Sequence, residues 1–94
     1  MIIDILTVDL YLPLCNSLKE KRRHLNSLKS RLASGSNISI AEVGDQDKWQ
    51  KSVIALVQVG THKPVIDSFL SHMIARIENY NGLQVLNYET EIIS

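Results

Sequence analysis

The sequence predicts a two-layer α+β domain, and three observations carry that prediction. Six segments of alternating period follow one another in the order β-α-β-β-α-β. The two helical segments sit where crossover connections are needed, and a tight polar turn joins the two middle strands. The length, 94 residues, suits one domain with a modest core.

Residues 2–12 are rich in Ile, Leu and Val, with Thr7 and Tyr11, and read as a first strand. Pro13 ends it, because proline cannot donate to a strand ladder. Ser17-Leu18-Lys19-Glu20 has the form of a capping box. Ser17 accepts from the Glu20 amide, and the Glu20 carboxylate is expected to reach back to the Ser17 amide. Leu18, Leu25, Leu28 and Leu32 then fall in one arc of a first helix. Ser34-Gly35-Ser36 is a short polar exit, with Gly35 as the stop.

Asn37 to Val43 reads as a second strand, with Ile38 and Ile40 on one side. Gly44-Asp45-Gln46-Asp47 supplies turn chemistry. Ser52 to Val59 is the clearest strand in the chain. Thr61 to Asn81 reads as a second helix that tolerates Pro64 in its first turn and presents Ile66, Phe69, Leu70, Met73, Ile77 and Tyr80 on one face. Asn81-Gly82 stops it, and Leu83 to Ile93 forms the last strand. This succession fits the ferredoxin-like, split βαβ arrangement: a four-stranded antiparallel sheet of order 4-1-3-2 with both helices on one face.

In such a two-layer domain the other sheet face meets water, so its central strands should alternate apolar and polar. They do not. Val53-Ile54-Ala55-Leu56-Val57 is apolar on both sides. In the first strand Ile3 and Ile5 point one way and Leu6, Val8 and Leu10 the other. Strands of this kind belong to sheets covered twice, and a twofold copy of the chain is the simplest cover. A homodimer is therefore expected, burying this face or joining sheet edges.

Composition narrows the setting. The chain is 45% apolar and 21% charged, as ordinary globular domains are. The start, Met1-Ile2-Ile3-Asp4, has no basic region before an apolar stretch and does not read as a secretory signal. No apolar run approaches the ~20 residues of a membrane helix. The single cysteine, Cys15, cannot form an internal disulfide. A cytoplasmic protein without membrane contact is expected.

Charge is balanced overall but unevenly placed. Between Ser17 and Ser34 stand Lys19, Lys21, Arg22, Arg23, Lys29 and Arg31 against one acid, Glu20, while the net charge of the whole chain is zero. Such a basic helix is a candidate surface for RNA phosphates, and Lys19, Lys21, Arg22, Arg23 and Lys29 are the candidate contacts. Lys21 is the odd member, because it falls inside the leucine stripe. It must snorkel or meet an acid, and Glu42 near the end of the second strand is the candidate partner. The third strand lacks the aromatics on which RNA-recognition modules stack bases, so any RNA contact would be to phosphates.

Catalytic machinery is not evident. Cys15 lies near a helix start, but His24 is about two turns away, and an inert thiol is the expectation. His24, His62 and His72 show no two-ligand spacing, and Asp45 with Asp47 makes no cation site. Glycines 35, 44, 60 and 82 are scattered singly, so no phosphate loop exists. No cofactor is implied and no small-molecule ligand is specified. Trp49, alone of its kind, is expected to cap packing at the hairpin or to anchor an interaction.

The segments Ser17-Leu18-Lys19-Glu20-Lys21-Arg22, Leu25, Leu28, Ile40-Ala41-Glu42-Val43-Gly44, Asp47 and Trp49-Gln50 together resemble the bacterial YlxP-like family across essentially the whole chain. The resemblance implies a small ferredoxin-like domain with no established activity, whose genes lie among those of translation and ribosome maturation. It implies no catalytic residues.

Overall fold

Strand β1 (Ile2–Tyr11) enters the sheet with strict alternation: Asp4, Leu6, Val8 and Leu10 are buried and the residues between them are half-buried. The computed structural model describes residues 1–35 and 37–94, so the predicted polar exit at Ser36 lies outside the described residues. After β1 come α1 (Leu18–Ala33), β2 (Ile38–Gly44), β3 (Lys51–Gly60), α2 (Lys63–Glu78) and β4 (Gln84–Ile93). The sheet runs β2-β3-β1-β4, with β1 antiparallel to both β3 and β4 and β2 antiparallel to β3. This is the predicted order read from the opposite edge.

Both helices pack on the face that carries Leu6, Val8 and Leu10. Leu25, Leu28 and Leu32 of α1, Leu70, Met73 and Ile77 of α2, and Ile54 and Leu56 of β3 close one core with them. Burial of such side chains stabilises the domain by about 1.5–3 kcal/mol each before chain entropy is counted. The opposite face has no covering element among the described residues. Register brings Val59, Ile3 and Ile93 into one row across three strands of that face, with Val57 beside Ile5 in the next.

The start of α1 departs slightly from the expected capping box. The Glu20 amide donates to Ser17 Oγ at 3.1 Å, as predicted. The Glu20 carboxylate, however, accepts from the Asn16 amide at 2.9 Å, one residue earlier than Ser17. Helix α2 is shorter than its sequence suggests. His62 remains extended at the N-cap, and the Asn79 amide bonds back to Ala75 and Ile77 carbonyls, which closes the last turn before Asn81. Gly82 follows with φ +94°, a conformation that favours glycine.

Two irregularities position side chains. Pairing of β2 with β3 shifts between Glu42 and Gly44, so Val43 bulges. Gly44 then lies so close to β3 that an added Cβ would meet Val53 at 3.1 Å. The next residue, Asp45, takes φ 55°, and the chain turns back with Lys48 donating to the Asp45 carbonyl. This turn lies against the first turn of α1.

Candidate functional site

Lys21 is placed on the buried face of α1 by its helical phase with Leu25, Leu28 and Leu32. Its side chain is only 1% exposed. The ammonium forms a 2.8 Å salt bridge with Glu42 Oε2. It also donates to the carbonyl oxygens of Asp45 at 2.8 Å, Gln46 at 3.3 Å and Lys51 at 3.2 Å. Glu42 reaches it because its β3 partner is Ile54, which puts both side chains on the helix-covered face. Ser52 Oγ donates to the same Glu42 oxygen at 2.7 Å, orienting it.

The geometry corrects one expectation and resolves another. Lys21 does not stand with the surface bases that a polyanion would meet. A charge so deeply placed is tolerable only when fully hydrogen-bonded, and here it is. Glu42 is turned inward as the partner of Lys21, the pairing expected from the sequence, and so is not available as a contact for an outside molecule. The segments Ser17 to Arg22 and Ile40 to Gln50, which carry the family resemblance, thus meet in space as a staple between α1 and the β2–β3 hairpin.

The remaining bases divide by exposure. Lys19, Arg22 and Arg23 are exposed and Lys29 is half-buried at the edge of the same face. The salt bridges among the described residues are Lys21–Glu42, Lys48–Asp45 and Lys63–Asp67, so these four bases have no acidic partner there. Arg31 stacks over the Tyr80 ring at 5.1 Å and faces α2. Trp49 is 55% exposed. The expectation that it caps packing gives way: with Tyr11, Asn16 and Lys51 it lines an open depression beside the hairpin.

Cys15 is buried, and its thiol is pushed up from the ordinary value, first by burial and then by the Glu20 charge, with Lys21 and Arg23 pulling the other way. It is poorly suited to attack. The described residues contain no cluster of three or more His, Cys, Asp or Glu that could hold a metal. Among them no helix is long and apolar enough to cross a membrane.

One polar residue escaped the sequence reading altogether. Asp4 is 1% exposed under α2, and its carboxyl lies within hydrogen-bond reach of the Asp67 carboxylate. Its pKa is raised above 3.8, chiefly by burial and then by the neighbouring Asp67 carboxylate, with Lys63 opposing. The signal was available: Asp4 is in phase with Leu6, Val8 and Leu10.

Order, register and helix placement define a ferredoxin-like α+β domain. A family described as a protein of unknown function, DUF503, matches residues 3–90. The chain belongs to this family. The uncharacterized protein YlxP of Bacillus subtilis (strain 168) is 31% identical over 75 residues, which cover 80% of this chain and 82% of that protein. Among solved structures, protein YJCS superposes with a TM-score of 0.63 at 9% identity, covering 98% of this chain and 99% of the other. SnoaB, a cofactor-independent oxygenase from Streptomyces nogalater, superposes with a TM-score of 0.53 at 9% identity, covering 99% and 91%. At such identities these two speak for the fold alone.

Proposed function

We propose that the protein is a non-enzymatic binding module of the cytoplasm that contacts RNA phosphates, as on a ribosomal particle, through the exposed face of α1. The observation that carries this reading is the set Lys19, Arg22 and Arg23: exposed, adjacent on one helix face, and without acidic partners among the described residues. Bases left free in a chain of zero net charge are available to an external polyanion. Lys29 extends the surface at its edge, and Lys21 takes no part in it. The translation setting implied by the family resemblance agrees with this reading.

Co-sedimentation with ribosomal particles tests it. Binding is expected at low salt and should weaken steeply as salt rises, because each phosphate contact releases counterions. Reversing Lys19, Arg22 and Arg23 to Glu should lower affinity by roughly a hundredfold or more, by the same electrostatic argument. Absence of co-sedimentation at low salt would remove the proposal.

A second reading rests on the uncovered sheet face. The row Val59, Ile3 and Ile93 and the pair Val57 and Ile5 form an apolar patch with no helix over it, and Val59 and Ile93 are each nearly half exposed. A second copy of the chain, placed face to face about a twofold axis, covers such a patch with its own equivalent. Sedimentation equilibrium at tens of micromolar should give twice the chain mass. Replacing Ile5 and Val57 by Lys should give a folded monomer, while the charge reversal on α1 should leave the dimer intact. A wild-type monomer at that concentration would contradict this reading.

A further inference from the structure

The hairpin end of the sheet carries an aromatic surface that phosphate contact by α1 leaves unused. Trp49, the only tryptophan of the chain, is more than half exposed. With Tyr11, Asn16 and Lys51 it lines an open depression of about 580 Å³, a volume within the range of small-molecule sites. Tyr11 and Lys51 are opposite each other at the last position of the β1–β3 pairing. They are in phase with Ile3 and Ile5 and so stand on the sheet face that no helix covers among the described residues. An indole left so far in water has given up most of the burial that a packing role provides.

The depression is braced against α1. Gln50, next to Trp49 in the chain, donates through Nε2 to the carbonyls of Pro13 at 3.2 Å and Cys15 at 3.4 Å. Lys21 of α1 donates to the carbonyl of Lys51. Asn16, in the lining, gives its amide to the Glu20 carboxylate in the first turn of α1. The aromatic surface and the start of α1, with Lys19, Arg22 and Arg23, therefore form one braced unit. Charge divides between its two parts. In the depression Lys51 is exposed without an acidic partner among the described residues, Lys48 is held by Asp45 at 3.4 Å, and Asp47 adds an acid. So balanced a surface suits the uncharged part of a polyanion, while the free bases of α1 suit its phosphates.

We infer that Trp49 stacks an unpaired base of a single-stranded RNA whose backbone follows α1, with Tyr11 as the adjoining wall and Lys51 beside the flanking phosphate. A base presents a π-face to the indole and polar edges to Asn16 and Asp47, and any base can stack in this way. This rests on the reading of α1 as the phosphate-binding face and adds the kind of RNA. A paired base keeps both faces within its own helix, so single strands are the substrate. The stacking ring comes from the hairpin, not from the third strand, where the sequence has no aromatic.

Tryptophan emission of the full chain reports on Trp49 alone. A uridine octamer at low salt should quench it saturably. An abasic octamer with the same number of phosphates should bind at least tenfold more weakly and leave the emission unchanged, because stacking contributes about that factor per base. Trp49→Ala, read by anisotropy of labelled octamers, should lower affinity for the uridine octamer by about tenfold and leave affinity for the abasic octamer unchanged, which also shows that the variant is folded. Trp49→Phe should keep most of the affinity. Equal affinity for the two octamers, binding of the uridine octamer without quenching, or binding undiminished by Trp49→Ala would overturn the stacking and leave the role of α1 standing. Failure of both octamers to bind at low salt would overturn the inference together with the reading of α1 on which it rests.

Discussion

Replacing Lys21 by Met should lower the stability of the domain by about 3–5 kcal/mol, the cost of removing one partner of a buried ion pair. Methionine preserves the length and apolar stem of lysine, so core volume changes little. What is lost is the donor set: Glu42 keeps its charge with only the Ser52 hydroxyl to answer it, and the carbonyls of Asp45, Gln46 and Lys51 lose their shared ammonium. Because a small domain has only about 5–15 kcal/mol in total, such a variant approaches the limit of folding. Urea denaturation measures the loss. Hydrogen exchange should show the β2–β3 hairpin opening before the β1–β4 pair, since the staple joins α1 to that hairpin alone. Arginine at position 21 should not restore the wild-type value, because its planar fork cannot reproduce the arrangement of acceptors around one nitrogen.

Asp4→Asn should act in the opposite direction and raise stability by about 1–3 kcal/mol near neutral pH, the scale of an uncompensated buried polar group. The amide carries no charge and offers two N–H donors beside the Asp67 carboxylate. The pH dependence gives the effect its signature. The folded-state pKa of Asp4 is raised above 3.8, so between that value and the folded pKa the native state holds more protons than the unfolded chain. Its contribution to stability is therefore full below pH 3.8 and is lost as pH rises through the folded pKa. The advantage of Asp4→Asn should be greatest at neutral pH and disappear below pH 3.8 in paired urea titrations. The groups facing Asp4 from α2, Asp67 and Lys63, oppose each other in this titration.

The sequence was a good guide where periodicity governs structure. The parity of β1 separated Leu6, Val8 and Leu10 from Ile3 and Ile5, and the hairpin turn fixed the antiparallel pairing of β2 with β3. The phase of Lys21 marked it as misplaced among leucines, and Glu42 was identifiable as its partner because the first turn of α1 and the far end of β2 fall at the same end of the domain. The three carbonyl acceptors were not identifiable, since their convergence depends on the bulge at Val43 and on the positive φ of Asp45. Charge counting alone grouped Lys21 with Lys19, Arg22 and Arg23. Only the packing of α1 separates a base that holds the fold from bases that face outward.

Asp4 shows the reverse case. A carboxylate at the start of a strand reads as a surface residue, and its parity with Leu6, Val8 and Leu10 is the only contrary signal. Whether a polar residue in that phase is buried depends on how far α2 extends over the sheet, which period and propensity do not specify. Trp49 is similar: its exposure follows from the path of the hairpin rather than from its size or apolarity.

The segments Ser17 to Arg22 and Ile40 to Gln50 meet as a structural staple through Lys21 and Glu42. A double-mutant cycle by urea unfolding, using Lys21→Met, Glu42→Leu and the pair together, measures it directly. The two single losses should exceed the loss of the double variant, with a coupling of about 1.5–3 kcal/mol, the upper range for residues in one buried network. Additive losses, agreeing within about 0.5 kcal/mol, would contradict it.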